Sequence, residues 1–230
     1  MDKGYFRSSP HMAESSKAFF FGDAITVGQR DVFQRQKKAM SDPDSAIKKL
    51  RLVPNRDCGG CTSCCKDLTI DSQELKKAPG ILCVHCVEGK GCGIYETRPP
   101  VCHVWYCGWR QMPQLDDGWR PDRCEIIITG AVQDIPAGYP REGLSFELIG
   151  SLERITWPPL VQAISALIAN SVPVFLSVRG APGYVSGHVF LNDELSGVIA
   201  LGDPEKIAHM LRGALQACVA IPKTKVEFSG

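Results

Sequence analysis

Ten of the eleven cysteines in this 230-residue chain fall between Cys58 and Cys124, and the first four form the run Cys58-Gly59-Gly60-Cys61-Thr62-Ser63-Cys64-Cys65. Thiolates are soft, strongly donating ligands that favour zinc, copper(I) and iron–sulfur centres. Gaps of two residues let the backbone fold back so that successive sulfurs converge on one ion. A second group follows: Cys83 and Cys86 flank Val84-His85, then come Cys92, Cys102-His103, Cys107 and Cys124. A structural zinc takes four ligands, so this many neighbouring thiols implies two mononuclear sites, a polynuclear centre, or one site with surplus redox-active cysteines. In extended backbone, adjacent side chains point to opposite sides, which would let Cys64 and Cys65 serve different metals or bridge them.

Spacing alone leaves the metal open between zinc and iron. Cys58, Cys61 and Cys64 have the spacing of the first three ligands of bacterial ferredoxins, although the usual Cys-Pro ending is absent. Cys61/Cys64 with Cys83/Cys86 meets the paired-CxxC description of a zinc ribbon only loosely. The same CxxC pairs allow a thiol–disulfide redox protein, but none sits at a helix start after a strand, where the dipole would activate it. Cys102-His103 is a weak nucleophile pair, because catalytic partners usually come from distant parts of the chain. No residue is assigned a catalytic role.

Three stretches must position these thiols. Residues 1–56 read as a leader without sustained periodicity, followed by a short basic helix over 30–40 that Ser41-Asp42-Pro43-Asp44 ends. Residues 57–125 are crowded with Cys, Gly and Pro and poor in apolar periods, as expected where metal coordination substitutes for a hydrophobic core. One helix is expected there over 72–78, capped by Asp71 with Glu74 three residues on and stopped by Pro79-Gly80.

Residues 126–230 recover ordinary core patterning. A strand is expected over 126–132, and Leu160, Val161, Ile164, Leu167 and Ile168 repeat at helical spacing behind Pro158-Pro159. Residues 174–178 and 184–191 read as strands of a hairpin turning through 179–183. A last helix begins at the Asp203 cap with Pro204 in its first turn, and its apolar period puts Cys218 on the buried face. The fold class is α+β: an irregular, metal-stabilised cysteine-rich segment, then an antiparallel sheet with two or three covering helices.

The CxxCxxCC string from Cys58 to Cys65, the element at Cys83, and Cys-x-Ile-Tyr-Glu-x-Arg-Pro-x-x-Cys from Cys92 to Cys102 together resemble the YkgJ-like cysteine-cluster proteins. That family is described as chelating zinc or iron, and the resemblance spans residues 57–110. It implies metal chelation by Cys58, Cys61, Cys64, Cys65, Cys83, Cys92 and Cys102, with Cys107 as the eighth ligand. Two departures stand out: His103 replaces the family's usual Arg, and Cys86 replaces an apolar residue, so each is either an extra ligand or a bystander. His85 and Cys124 are open in the same way. Some proteins with this pattern resemble flagellin lysine methylases, whose cysteines are thought to bind an iron–sulfur cluster. That enzyme alternative rests on analogy, since no glycine-rich nucleotide loop is present.

Arg98 either donates to thiolates or carbonyls or pairs with Glu96, and Trp105, Trp109 and Trp119 are expected to supply an apolar shell. The formal net charge of +1 gives no global drive toward nucleic acid, and the basic stretch from Arg30 to Arg56 reads as a solvated helical face. No run approaches the roughly twenty apolar residues that cross a bilayer, and no secretory pattern opens the chain. The expected location is therefore cytoplasmic, where clustered cysteines are more often ligands than disulfides. The expected cofactor is zinc or iron, mononuclear or as an iron–sulfur cluster, serving structure, sensing or storage. A protein partner stays open.

Overall fold

The computed structural model describes residues 52–185 and 187–228, so the basic helix expected over 30–40 and all but the last five residues of the segment expected over 1–56 lie outside the described residues. The cysteine-rich half is built from very short elements. Helix α1 (Ser63–Asp67) is followed by the antiparallel pair β1 (Ile70–Asp71) and β2 (Lys76–Lys77), then by the pair β3 (Cys86–Val87) and β4 (Gly91–Cys92). Helices α2 (Pro100–Val104), α3 (Gly108–Gln111) and α4 (Pro121–Cys124) complete it, interspersed with 3₁₀ turns at Tyr95–Thr97 and Asp117–Trp119. Proline opens α2 and α4, where its missing N–H costs nothing.

The helix expected over 72–78 is instead the β1–β2 hairpin. Ser72 closes the turn: its N–H donates to Leu75 O (3.0 Å) and its hydroxyl oxygen accepts from Leu75 N (3.1 Å). A serine that bonds nearby backbone offers the chain an alternative to the helix, and here that alternative wins. The strand also delivers Lys77 inward, where its ammonium donates to the carbonyls of Lys66, Leu68 and Ala78. The first two of those contacts satisfy carbonyls at and just beyond the end of α1 that have no helical partner.

Beyond Cys124 the elements lengthen. Strands β5 (Ile126–Ala131) and β6 (Gly143–Leu148) pair antiparallel, helix α5 (Pro158–Ala169) crosses over, and β7 (Val174–Val178) joins β6 in parallel. Two-residue β8 (Tyr184–Val185) leaves the sheet, and β9 (His188–Phe190) returns antiparallel to β7, giving the order β5-β6-β7-β9. Helices α6 (Asn192–Leu201) and α7 (Pro204–Ala220) follow, and β10 (Thr224–Lys225) pairs with β8. The α+β class holds, with one parallel pair set by the α5 crossover. The expected 184–191 strand is split, because Tyr184 and Val185 pair with β10 rather than β7.

One large apolar core joins the α5 and α7 faces to the sheet through Ile126, Ile128, Phe146, Leu148, Leu160, Ile164, Leu176 and Leu211. Asp203 caps α7 by accepting from Lys206 N (3.1 Å), as its position foretells. This core does not begin at Ile126: Trp109, Met112, Leu115, Trp119 and Cys124 already belong to it. Gly108 makes that junction, since a Cβ there would lie 2.8 Å from the Ile128 Cβ. No helix among the described residues is long and apolar enough to cross a membrane.

Candidate metal centre

The cysteines are brought together by backbone economy more than by apolar burial. Cys61 N–H donates to Cys58 O (2.8 Å), closing the first CxxC turn, and Cys86 N–H donates to Cys83 O (2.9 Å), closing the last. Cys83 N–H reaches Cys65 O (2.9 Å), which ties the two groups of cysteines directly. The Cys58–Cys61 loop packs backbone to backbone on the β3–β4 turn: Gly91 has φ +92°, and a Cβ there would lie 2.3 Å from Gly59 O. Only glycine tolerates both conditions.

The result is a cavity of about 260 Å³ lined by Cys58, Cys61, Cys64 and Cys65 from the first group. Cys83, Cys92, Cys102 and Cys107 from the second group line the same space. The cavity far exceeds the ~10–15 Å³ that one water requires. None of the eleven cysteines, all of which lie among the described residues, is in a disulfide. Among the described residues, no three His, Cys, Asp or Glu side chains are gathered tightly enough to hold a single ion.

The remaining candidates separate clearly. Cys86 is buried beside the cavity, its thiol donating to Gly91 O (3.4 Å), and does not line it. Cys124 is 2% exposed, donates to Trp119 O (3.3 Å) and belongs to the large core, as does the fully buried Cys218. His85 lines the cavity; His103, on α2, does not. Trp105 and Trp109 line it too, whereas Trp119 packs against Trp157 with ring centroids 4.8 Å apart. Cys64 and Cys65 lie on helix α1 rather than in the extended backbone expected for them. Consecutive helical residues diverge by about 100° instead of 180°.

Arg98 makes its bonds to carbonyls and a phenol. Its guanidinium donates to Cys102 O (2.9 Å), Tyr95 O (2.7 Å) and the Tyr106 hydroxyl (2.7 Å), and it stacks 3.9 Å from the Tyr95 ring centroid. Those bonds brace the Tyr95–Cys102 segment and leave the exposed Glu96 aside.

Two further cations went unnoticed in the sequence. Lys77 is 5% exposed and Arg110 is 7% exposed. Arg110 lines the cavity, and its Nε–H and Nη1–H, like the Trp109 indole N–H, have no hydrogen-bond partner among the described residues. Buried unpaired donors are costly. Three such donors beside a wall of thiols fit an anionic occupant, such as a thiolate-ligated metal centre, whose sulfurs would accept from them.

The electrostatics follow from this crowding. Cys65 is drawn down to about 6, first by the hydrogen bond from Cys64, helped by Cys86, Lys77 and Arg98. Cys64, the donor of that bond, is held well above the ordinary thiol range. Burial pushes Cys102 and Cys107 up to about 11 and Cys86 up to about 12. Burial also raises Cys58, against Arg110 and a hydrogen bond from Tyr95. Cys65 apart, these thiols resist ionisation without a positive centre, and thiolate, not thiol, is the metal ligand. The chain matches no protein-family model, no curated protein and no solved structure.

Proposed function

We propose that this chain is a metal-binding protein, akin to the YkgJ-like cysteine-cluster family, whose eight cavity-lining cysteines chelate zinc or iron. One observation carries the reading: cysteines from separate stretches of chain line a common cavity without forming a disulfide. The width of that cavity and the unpaired N–H donors of Arg110 and Trp109 favour a sulfide-bridged iron centre over one bare zinc ion. The ligands would be Cys58, Cys61, Cys64, Cys65, Cys83, Cys92, Cys102 and Cys107. Bound metal would supply the folding energy that the cysteine-rich half lacks.

Anaerobic purification followed by elemental analysis and an absorption spectrum tests this. Iron with acid-labile sulfide is the expected result; stoichiometric zinc in a colourless protein keeps the metal reading and changes the metal. A second reading, thiol–disulfide chemistry, is favoured by the hydrogen-bonded Cys64–Cys65 pair, in which a thiolate sits beside a thiol. Metal-free protein that keeps its fold and exchanges disulfides rapidly would establish that reading instead.

A further inference from the structure

We infer that the cavity is also a pocket for a small aromatic monocarboxylate, whose carboxylate is taken by Arg110 and Trp109 and whose ring lies among Tyr95, Trp105 and Tyr106. This goes beyond the metal-binding reading and does not rest on it, because the residues that carry it are not cysteines.

The cavity has the size and lining of an organic-ligand site. Apolar cavities of about 150 Å³ take up benzene. A volume of about 260 Å³ therefore leaves room for a ring with a substituent. Ligand pockets are walled mostly by apolar and aromatic side chains, with a few polar groups that fix orientation. Here Ile70, Leu75, Ile94, Val101 and Ile127 line the space together with the four aromatic residues. Thr69 and His85 line it as well and are exposed, so the cavity reaches solvent.

The charge of the wall selects an anion. No aspartate or glutamate is among the described residues that line the cavity, whereas Arg98 and Arg110 are. Arg98 is occupied by Tyr95 O, Cys102 O and the Tyr106 hydroxyl. Arg110 is 7% exposed and Trp109 5% exposed, and the Arg110 Nε–H and Nη1–H and the Trp109 indole N–H have no partner among the described residues. A guanidinium stays protonated in a protein, and its burial is relieved by an acceptor that carries negative charge. One cation with donors to spare matches one negative charge; a phosphate dianion would be left half compensated. The Nε–H and Nη1–H leave different edges of the rigid guanidinium plane, so no single acceptor atom satisfies both. A carboxylate and a metal-bound sulfur can therefore share this residue.

These donors are held in place before any ligand arrives. Arg56 donates to the carbonyls of Trp109 (2.5 Å), Met112 (3.0 Å) and Leu115, and its guanidinium lies 5.3 Å from the Trp109 ring centroid. Val53 N–H donates to Arg110 O (2.9 Å), and the Gln111 side chain donates to Tyr106 O. Helix α3 is thus fixed from several sides, and a preformed site loses little ordering entropy on binding.

The test uses the full chain, purified anaerobically and titrated with benzoate, followed by calorimetry and tryptophan fluorescence, with metal measured on the same samples. Benzoate should bind saturably, and its neutral isostere benzamide and the ringless acetate should each bind at least about tenfold more weakly. Trp109→Phe, which keeps a ring and loses the N–H, should weaken benzoate several-fold. Arg110→Gln should weaken it by about 10–100-fold with an unchanged circular dichroism spectrum. The benzamide comparison needs no variant, so it decides the matter even where Arg110→Gln fails to fold. No saturation by about 10 mM benzoate, equal affinity for benzamide, or undiminished binding by folded Arg110→Gln overturns the inference. Tighter binding of inorganic phosphate than of benzoate also overturns it. Metal without benzoate binding sinks this inference and leaves the metal reading standing; benzoate binding by protein purified without metal does the reverse.

Discussion

The two halves of this molecule hold their shape by different means. From Ile126 onward, helices of 12, 10 and 17 residues bury apolar faces on a four-stranded sheet. Between Ser63 and Gln111 no helix or strand exceeds five residues, and the apolar cluster there has only Leu75, Cys83 and Cys86 buried. Hydrophobic burial is proportional to area, so the half beyond Ile126 has a driving force of its own and the cysteine-rich half has far less. Backbone turns, close glycine contacts and three cations arrange the cysteine-rich half, and a metal would be what makes that arrangement stable.

Removing the metal is the most severe way to strain this contrast. Binding energies of about 10–16 kcal/mol are typical of structural zinc in small domains, so losing such a term should open the segment entirely. After chelation under reducing conditions, hydrogen exchange should become fast over 58–107 while the amides of β5, β6 and β7 stay protected. Retained protection over 58–107 would mean that the segment folds unaided, and the contrast would fail.

The converse experiment targets the other half. Phe146 is fully enclosed in the large core, and Phe146→Ala should cost about 3–5 kcal/mol in chemical denaturation. Metal per folded chain should not change, because Phe146 lies outside the cavity wall. A parallel loss of metal would show that the two halves fold as one unit.

This contrast also explains which parts were legible in the sequence. The α5 and α7 helices were readable because their apolar periods are long and their caps conventional, as with Pro158-Pro159 and Asp203-Pro204. The eight cysteines that line the cavity are those singled out by the resemblance to the YkgJ-like pattern, which is written in residue type and spacing rather than in local structure. What failed was local structure over short spans: at 72–78 the capping pattern of Asp71 and Glu74 was overridden by the Ser72 turn. Strand β6 and helix α6 went unread although Leu144, Phe146 and Leu148 alternate plainly. Lys77 and Arg110 could not be found from sequence, since nothing local marks a lysine or arginine as buried.

Backbone contact is the next point to probe. In Gly91→Ala the new methyl would meet Gly59 O, and the residue would be held at φ +92°, a strain of about 3 kcal/mol. The expected outcome is weakened metal retention with an unchanged sheet, read by competition with a chromophoric chelator and by circular dichroism. Unchanged retention would show that the Cys58–Cys61 loop needs no support from the β3–β4 turn.

The junction between the halves supplies a pH-dependent prediction. Glu147 lies across β5–β6 from Ile127, which lines the cavity, and burial pushes its carboxyl up to about 7, with Asp67 raising it further and Arg179 opposing. Asp67 is itself paired to Arg179 at 2.9 Å. The raised value means that the folded chain keeps a proton the unfolded chain releases. The associated stability is complete below the unfolded value near 4.5 and is lost as pH rises through about 7. Glu147→Gln should therefore match wild type near pH 4 and exceed it by about 3 kcal/mol near pH 8 in chemical denaturation. Equal stability at both pH values would show that Glu147 is not held in a desolvated position at the joint.

The smallest expected effect makes the sharpest distinction, because it separates thiols by location alone. Cys124 and Cys218 are as rich in sulfur as any ligand, yet both are packed in the large core, with Cys124 bonded to carbonyls and raised by burial to about 12. A buried thiol of this kind behaves as a small hydrophobe. Cys124→Ala and Cys218→Ala should each cost about 1 kcal/mol, the scale of a lost methyl-sized group, and leave metal content untouched. Loss of metal from the Cys124 variant would bring that thiol into the centre and move the boundary between the two halves past the start of β5.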